Sequence, residues 1–138
     1  MKIRKGFVSN SSSSSFMIYG GSVDLYDDNN LDYVITKIME KLNDKEIEEF
    51  KKYVYDDGDP DDIDKYELRE YTETLVPKGY SIETGYDADY MYIGVSPSRQ
   101  PDDQNHGDWK KEIQTTLNGL FGEAISGYGW KEDCWRDG

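Results

Sequence analysis

Apolar positions change period twice along this chain, and each change marks an element. Phe16 to Tyr19 is a short apolar run stopped by Gly20-Gly21, which predicts a first strand, with Ser22 to Asn30 as acidic loop. Leu31, Val34, Ile35, Ile38, Met39 and Leu42 then recur with helical spacing, predicting an amphipathic helix over 31–42 capped by Asn29 or Asn30. Asn43 and Glu46 form a capping-box pair opening a second helix, with Ile47, Phe50, Tyr53 and Val54 on its inner side. A third helix is expected from Asp61 to Leu75, facing inward with Leu68, Tyr71 and Leu75.

The period then falls to two. Tyr80, Ile82 and Thr84 alternate with polar residues, Gly85 to Asp89 turns the chain, and Tyr90 to Val95 returns, the pattern of a β-hairpin. Ser96 to Gly107 has no periodicity and reads as loop. Trp109, Ile113, Thr116, Leu117, Leu120 and Phe121 restore the helical period over 108–121, and Gly122 ends it. Ala124 to Tyr128 reads as a last strand before a Gly- and Trp-rich tail. The fold class expected is α+β: a small antiparallel or mixed sheet packed with about four helices, with residues 16–138 as one domain behind a Ser-rich arm, residues 1–15.

Composition sharpens this picture. Of 138 residues only 36% are hydrophobic, but twelve tyrosines and three tryptophans supply large buried areas, so an aromatic-rich core is expected. The net charge is −13, and without Lys2, Arg4 and Lys5 it becomes −16, from 13 basic against 29 acidic residues. Such a chain is repelled by free nucleic acid and anionic membranes, so neither is expected as a partner. One cysteine, Cys134, excludes an internal disulfide; with His106 as the sole histidine, the usual Cys/His zinc sites are excluded too. The chain lacks a membrane-length apolar run and a signal core, and a cytoplasmic location is expected.

Candidate chemistry is thin. The acids Asp56, Asp57, Asp59, Asp61, Asp62 and Asp64 invite a calcium reading, but an EF-hand loop needs glycine at position 6 and glutamate at 12. Counting from Asp57 gives Asp62 and Leu68 there; counting from Asp56 puts Gly58 and Pro60 at ligand positions. A solvated loop loading negative charge at a helix N-terminus fits better. Carboxylate pairs could be drawn from Asp24, Asp27, Asp28, Asp87, Asp89, Asp102 and Asp103, but 29 acids make chance pairs common. The acidic neighbours of Cys134 disfavour its thiolate, His106 reads as a helix-entry residue, and Gly127-Tyr128-Gly129-Trp130 lacks the context of a phosphate cradle. Trp130 and Trp135 beside acids are either docked core or a contact surface. No cofactor, metal site or catalytic residue is assigned.

The most distinctive stretch is Gly6-Phe7-Val8-Ser9-Asn10 followed by Ser11 to Ser15 and Phe16. Serine hydroxyls compete for nearby backbone groups and disfavour regular structure, so Ser9 to Ser15 can span about 23 Å at roughly 3.3 Å per residue. A flexible tether and an anion-binding loop of hydroxyls and amides are the plain alternatives. The flanking Phe7-Val8 favours an arm that docks, with Phe7, Val8, Ser9, Asn10, Ser11 and Ser12 as candidate partner contacts beside Trp130 and Trp135.

Residues 2–16, Lys-Ile-Arg-Lys-Gly-Phe-Val-Ser-Asn-Ser-Ser-Ser-Ser-Ser-Phe, resemble the opening of a group of small uncharacterised proteins from tailed bacteriophages and some bacteria. Tyr92 to Pro97, Asp102-Asp103, a helix and the closing Trp135-Arg136-Asp137-Gly138 are similar to the ends of some members. The resemblance implies a viral or prophage context and no particular activity. The expectation is a non-enzymatic protein that binds a host or viral protein. Alternatives are an acidic DNA mimic, with carboxylates from Asp56 through Glu73, and a carboxylate metal-dependent hydrolase or nuclease.

Overall fold

The computed structural model describes residues 16–84 and 89–132. Its centre is a four-stranded antiparallel sheet in the order β2-β3-β1-β4, with β1 at Met17–Asp24, β2 at Ser81–Thr84, β3 at Tyr90–Val95 and β4 at Ile125–Glu132. Four helices accompany it: α1 (Asp28–Glu40), α2 (Asp44–Val54), α3 (Lys65–Thr72) and α4 (His106–Phe121). This is the α+β architecture expected from the two periods.

Alternation places Tyr19, Val23, Ile82, Met91, Ile93, Val95 and Ile125 in one core. The helices close over it with Val34 and Ile38 of α1, Phe50 and Val54 of α2, Leu68 of α3, and Trp109, Ile113, Leu117 and Phe121 of α4. Leu31, Ile35 and Leu42 are only partly buried, at the margin of that cluster.

Several sequence boundaries move. Gly20-Gly21 does not stop β1, which runs on to Asp24; the two glycines let neighbouring strands approach closely instead of turning the chain. Gly20 lies opposite Gly94 of β3 and Gly129 of β4, and a Cβ built on Gly20 would stand 1.8 Å from the Ile93 carbonyl oxygen. Helix α1 starts at Asp28, capped by Asp27, whose side chain accepts from Asn29 N–H at 2.9 Å; Asn29 and Asn30 lie inside it. Helix α3 starts at Lys65, not Asp61, because Asp64 accepts from the N–H groups of Tyr66 and Glu67 while Asp56–Asp62 folds into turns. It gives way after Thr72 to a 3₁₀ turn ending at Leu75. The last strand reaches Glu132, so the Gly- and Trp-rich segment through Trp130 is sheet.

The helix expected over 108–121 begins two residues earlier, at His106, and Pro97–Arg99 in the expected loop forms a 3₁₀ turn. The Asn43–Glu46 capping box is made in both directions, at 2.8 and 2.9 Å, and Gly122 closes α4. The hairpin pairs Thr84 with Met91 and Ser81 with Gly94; its turn residues 85–88 lie outside the described residues. No helix among the described residues is long and apolar enough to cross a membrane.

Candidate functional site

One end of the sheet gathers an aromatic cluster from positions far apart in sequence. Tyr19 of β1 and Trp130 of β4 are register partners, so their side chains share the helix-facing side and meet edge-to-face at 5.5 Å. Helix α4 enters above them. Its first residue, His106, and Trp109 three residues later occupy one helix face, as i, i+3 spacing requires. His106 lies 5.6 Å from Trp109 and 5.8 Å from Trp130, near-parallel to both, and the two indoles are 6.1 Å apart. The three rings therefore form a triangle, with Tyr19 packed beneath both indoles.

Polar contacts fix this group. Lys110 holds its ammonium 5.2 Å from the Tyr19 ring centre and 5.5 Å from that of Trp130, within cation–π range of both. Gln114 Nε2 donates to Tyr19 Oη at 2.6 Å. His106 Nδ1 lies 3.0 Å from Gln100 Oε1, while the Gln100 amide nitrogen donates to the Gln104 carbonyl at 2.8 Å. That second bond sets the amide so that Oε1 accepts, with His106 Nδ1 as the donor. Asn105 caps the helix by accepting from Asp108 N–H at 2.8 Å. Nearby on β4, burial, and secondarily the neighbouring Tyr19, raises the Tyr128 phenol pKa; burial lowers that of Lys131.

The cluster has a buried base and an open top. Tyr19 and Trp109 are buried, whereas Trp130 keeps 41% of its surface exposed and His106 is exposed. Of the residues singled out from sequence, Trp130 is placed here; Phe7, Val8, Ser9, Asn10, Ser11, Ser12 and Trp135 lie outside the described residues, as does Cys134. His106 is a helix-entry residue, as expected, but its stacking was not legible. The available signal was its i, i+3 spacing to Trp109, which says nothing of Trp130.

The acidic region is built differently. Asp56 N–H donates to the Asp62 carbonyl at 2.8 Å, Tyr55 bridges to Ile63, and Asp57 takes a left-handed conformation (φ 53°) that aspartate tolerates. The five carboxylates of Asp56, Asp57, Asp59, Asp61 and Asp62 are exposed, and the charge of Asp62, then Asp57, raises the Asp56 pKa. Among the described residues no three His, Cys, Asp or Glu side chains converge as a metal site. Of the carboxylates considered for acid–base work, Asp24 accepts from Tyr26 N–H, Asp27 caps α1, and Asp89 accepts from Lys65 at 2.6 Å, while Asp87 lies outside the described residues.

The chain matches no protein-family model, no curated protein and no solved structure.

Proposed function

We propose that this protein acts by binding another protein, host or viral, and that the contact is centred on Trp130 and His106. The observation that carries the reading is the indole of Trp130, more than a third exposed yet held in place by Tyr19, Trp109, His106 and Lys110. An ordered aromatic side chain loses little conformational freedom on binding and offers a large apolar face, the property shared by residues that dominate interfaces. The resemblance of residues 2–16 supports a phage or prophage setting.

Mimicry of DNA is a second reading, favoured by the exposed carboxylates of the Asp56–Asp62 loop. One experiment separates the two. Immobilised protein is exposed to lysate of phage-infected cells, and the captured species is titrated against variants. Trp130→Ala should weaken binding by about 2 kcal/mol or more, whereas Tyr26→Ala, at an exposed tyrosine elsewhere, should not. Triple replacement of Asp57, Asp59 and Asp61 by Asn should leave affinity nearly unchanged. The reverse pattern would overturn the aromatic contact in favour of mimicry.

A further inference from the structure

A cleft of about 200 Å³ is lined by Trp109 and Ile113 of α4, Val95 at the end of β3 and residues 78–80. Val95, Trp109 and Ile113 form an apolar floor. Lys78, Arg99 and Glu112 are its charged lining residues. The two described arginines differ sharply. Arg69 lies 3.8 Å from both Glu70 and Glu73, whereas among the described residues the side chains of Arg99 and Lys78 have no hydrogen-bond or ion-pair partner. Lys78 and Arg99 are both exposed, so their charges are open to an anion at the cleft.

The guanidinium lies over Gly79. Gly79 (φ +98°) carries no side chain where Arg99 crosses the turn; a Cβ there would lie 3.1 Å from Nε and 3.4 Å from Nη2. The segment carrying Arg99 is tied down by Ser96, whose carbonyl accepts from Arg99 N–H at 3.0 Å. It is further held by the Gln100 amide on the Gln104 carbonyl and by Gln104 Nε2 on Glu112 Oε1, both at 2.8 Å. This last bond ties down the Glu112 carboxylate, which would repel an anion placed next to it.

We infer that this cleft binds a compact carboxylate carrying an apolar body: the carboxylate on Arg99 with Lys78 beside it, the body against Trp109, Val95 and Ile113. Arginine presents paired donors that match a carboxylate, and an apolar floor next to one or two polar groups is the usual build of a small-ligand site. The ligand chemistry has two sources, a free small acid or the C-terminal carboxylate of a partner chain. The inference is independent of the Trp130 contact, sharing with it only the buried body of Trp109.

The test is titration of the full chain, followed by amide and indole NMR shifts. The probes are benzoate, its neutral counterpart benzyl alcohol, and the tripeptide Gly-Gly-Phe as free acid and as amide. Saturable shifts at the Trp109 indole with at least one acid, absent with the neutral partner and weakened about tenfold or more by Arg99→Ala, are expected. Benzoate alone binding identifies a free acid as the source; the tripeptide acid alone identifies a chain terminus. Arg99→Lys should recover part of the loss, since it restores charge without the paired donors. Absence of saturation with either acid, equal shifts with the neutral probes, or unchanged affinity in folded Arg99→Ala would overturn the inference.

Discussion

Between Asp24 and Glu73 the chain carries eighteen acidic against seven basic residues, a net −11, whereas the opposite end of the sheet is organised by rings from Tyr19, Trp109 and Trp130. In the first region charge is local. Asp27, Asn43 with Glu46, and Asp64 cap helices within three residues of themselves, and the Asp56–Asp62 carboxylates remain in water. In the second region the contacts that join β1, β4 and the first turn of α4 are long-range, with the local His106–Trp109 stacking added to them. The difference teaches that the abundant acids of this protein are mostly surface and punctuation, while Trp109 and Trp130 assemble a partly exposed aromatic group with His106.

The largest effects test whether these two regions share one core. Phe50 in the acidic half and Phe121 at the end of α4 are both fully buried in the same cluster. Replacing either by Ala should cost about 3–5 kcal/mol in denaturant unfolding, as for other buried aromatics. A single cooperative transition is expected in both variants. If Phe50→Ala melted the helical region while the ring cluster kept its near-ultraviolet signal, the two regions would be separate folding units and the comparison would become one of domains.

A sharper, smaller test lies in the central strand. Gly20→Ala drives a methyl into the Ile93 carbonyl, backbone against backbone, and should cost about 1–3 kcal/mol. Gly129→Ala, its register partner on β4, meets nothing within 4 Å and should change stability by less than about 0.5 kcal/mol. Equal costs would mean that the close approach of β1 and β3 relaxes freely.

The same contrast governs what could be read from sequence. The helices and hairpin were legible because their signals are periodic and local: Val34 and Ile38 repeat at helical spacing, and Asn43 and Glu46 announce a helix start. Boundaries slipped where two local signals competed. Asp27 displaced Asn29 as cap of α1, and the Asp56–Asp62 turns delayed α3 by four residues. Gly20-Gly21 resembled a strand end because nothing local tells a turn glycine from one required by a neighbouring strand. The ring triangle was illegible for a stronger reason: it depends on the register that sets Trp130 opposite Tyr19, a pairing 111 residues apart in the chain.

The smallest effects concern pH, and here the two settings of a carboxylate predict opposite signs. Asp56 sits among like charges, chiefly Asp62 and then Asp57, which raise its pKa above the ordinary aspartate value of 3.8. Folded protein therefore holds the Asp56 proton more tightly than unfolded chain, and its ionisation lowers stability as pH rises through that interval. Asp89 is the reverse. The hydrogen bond from Lys65 at 2.6 Å, helped by one involving Tyr26, lowers its pKa despite partial burial. Its contribution, on the order of 1 kcal/mol for a half-buried charged pair, is present above the unfolded pKa and disappears as pH falls through the folded one. Carboxyl NMR titration should find the Asp56 midpoint above that of Asp89. Asp62→Asn should bring Asp56 down, and Lys65→Met should bring Asp89 up while flattening the acid-side loss of stability. Coincident midpoints would show that solvent screens the crowded loop and the paired site alike, and the electrostatic difference between the two settings would vanish.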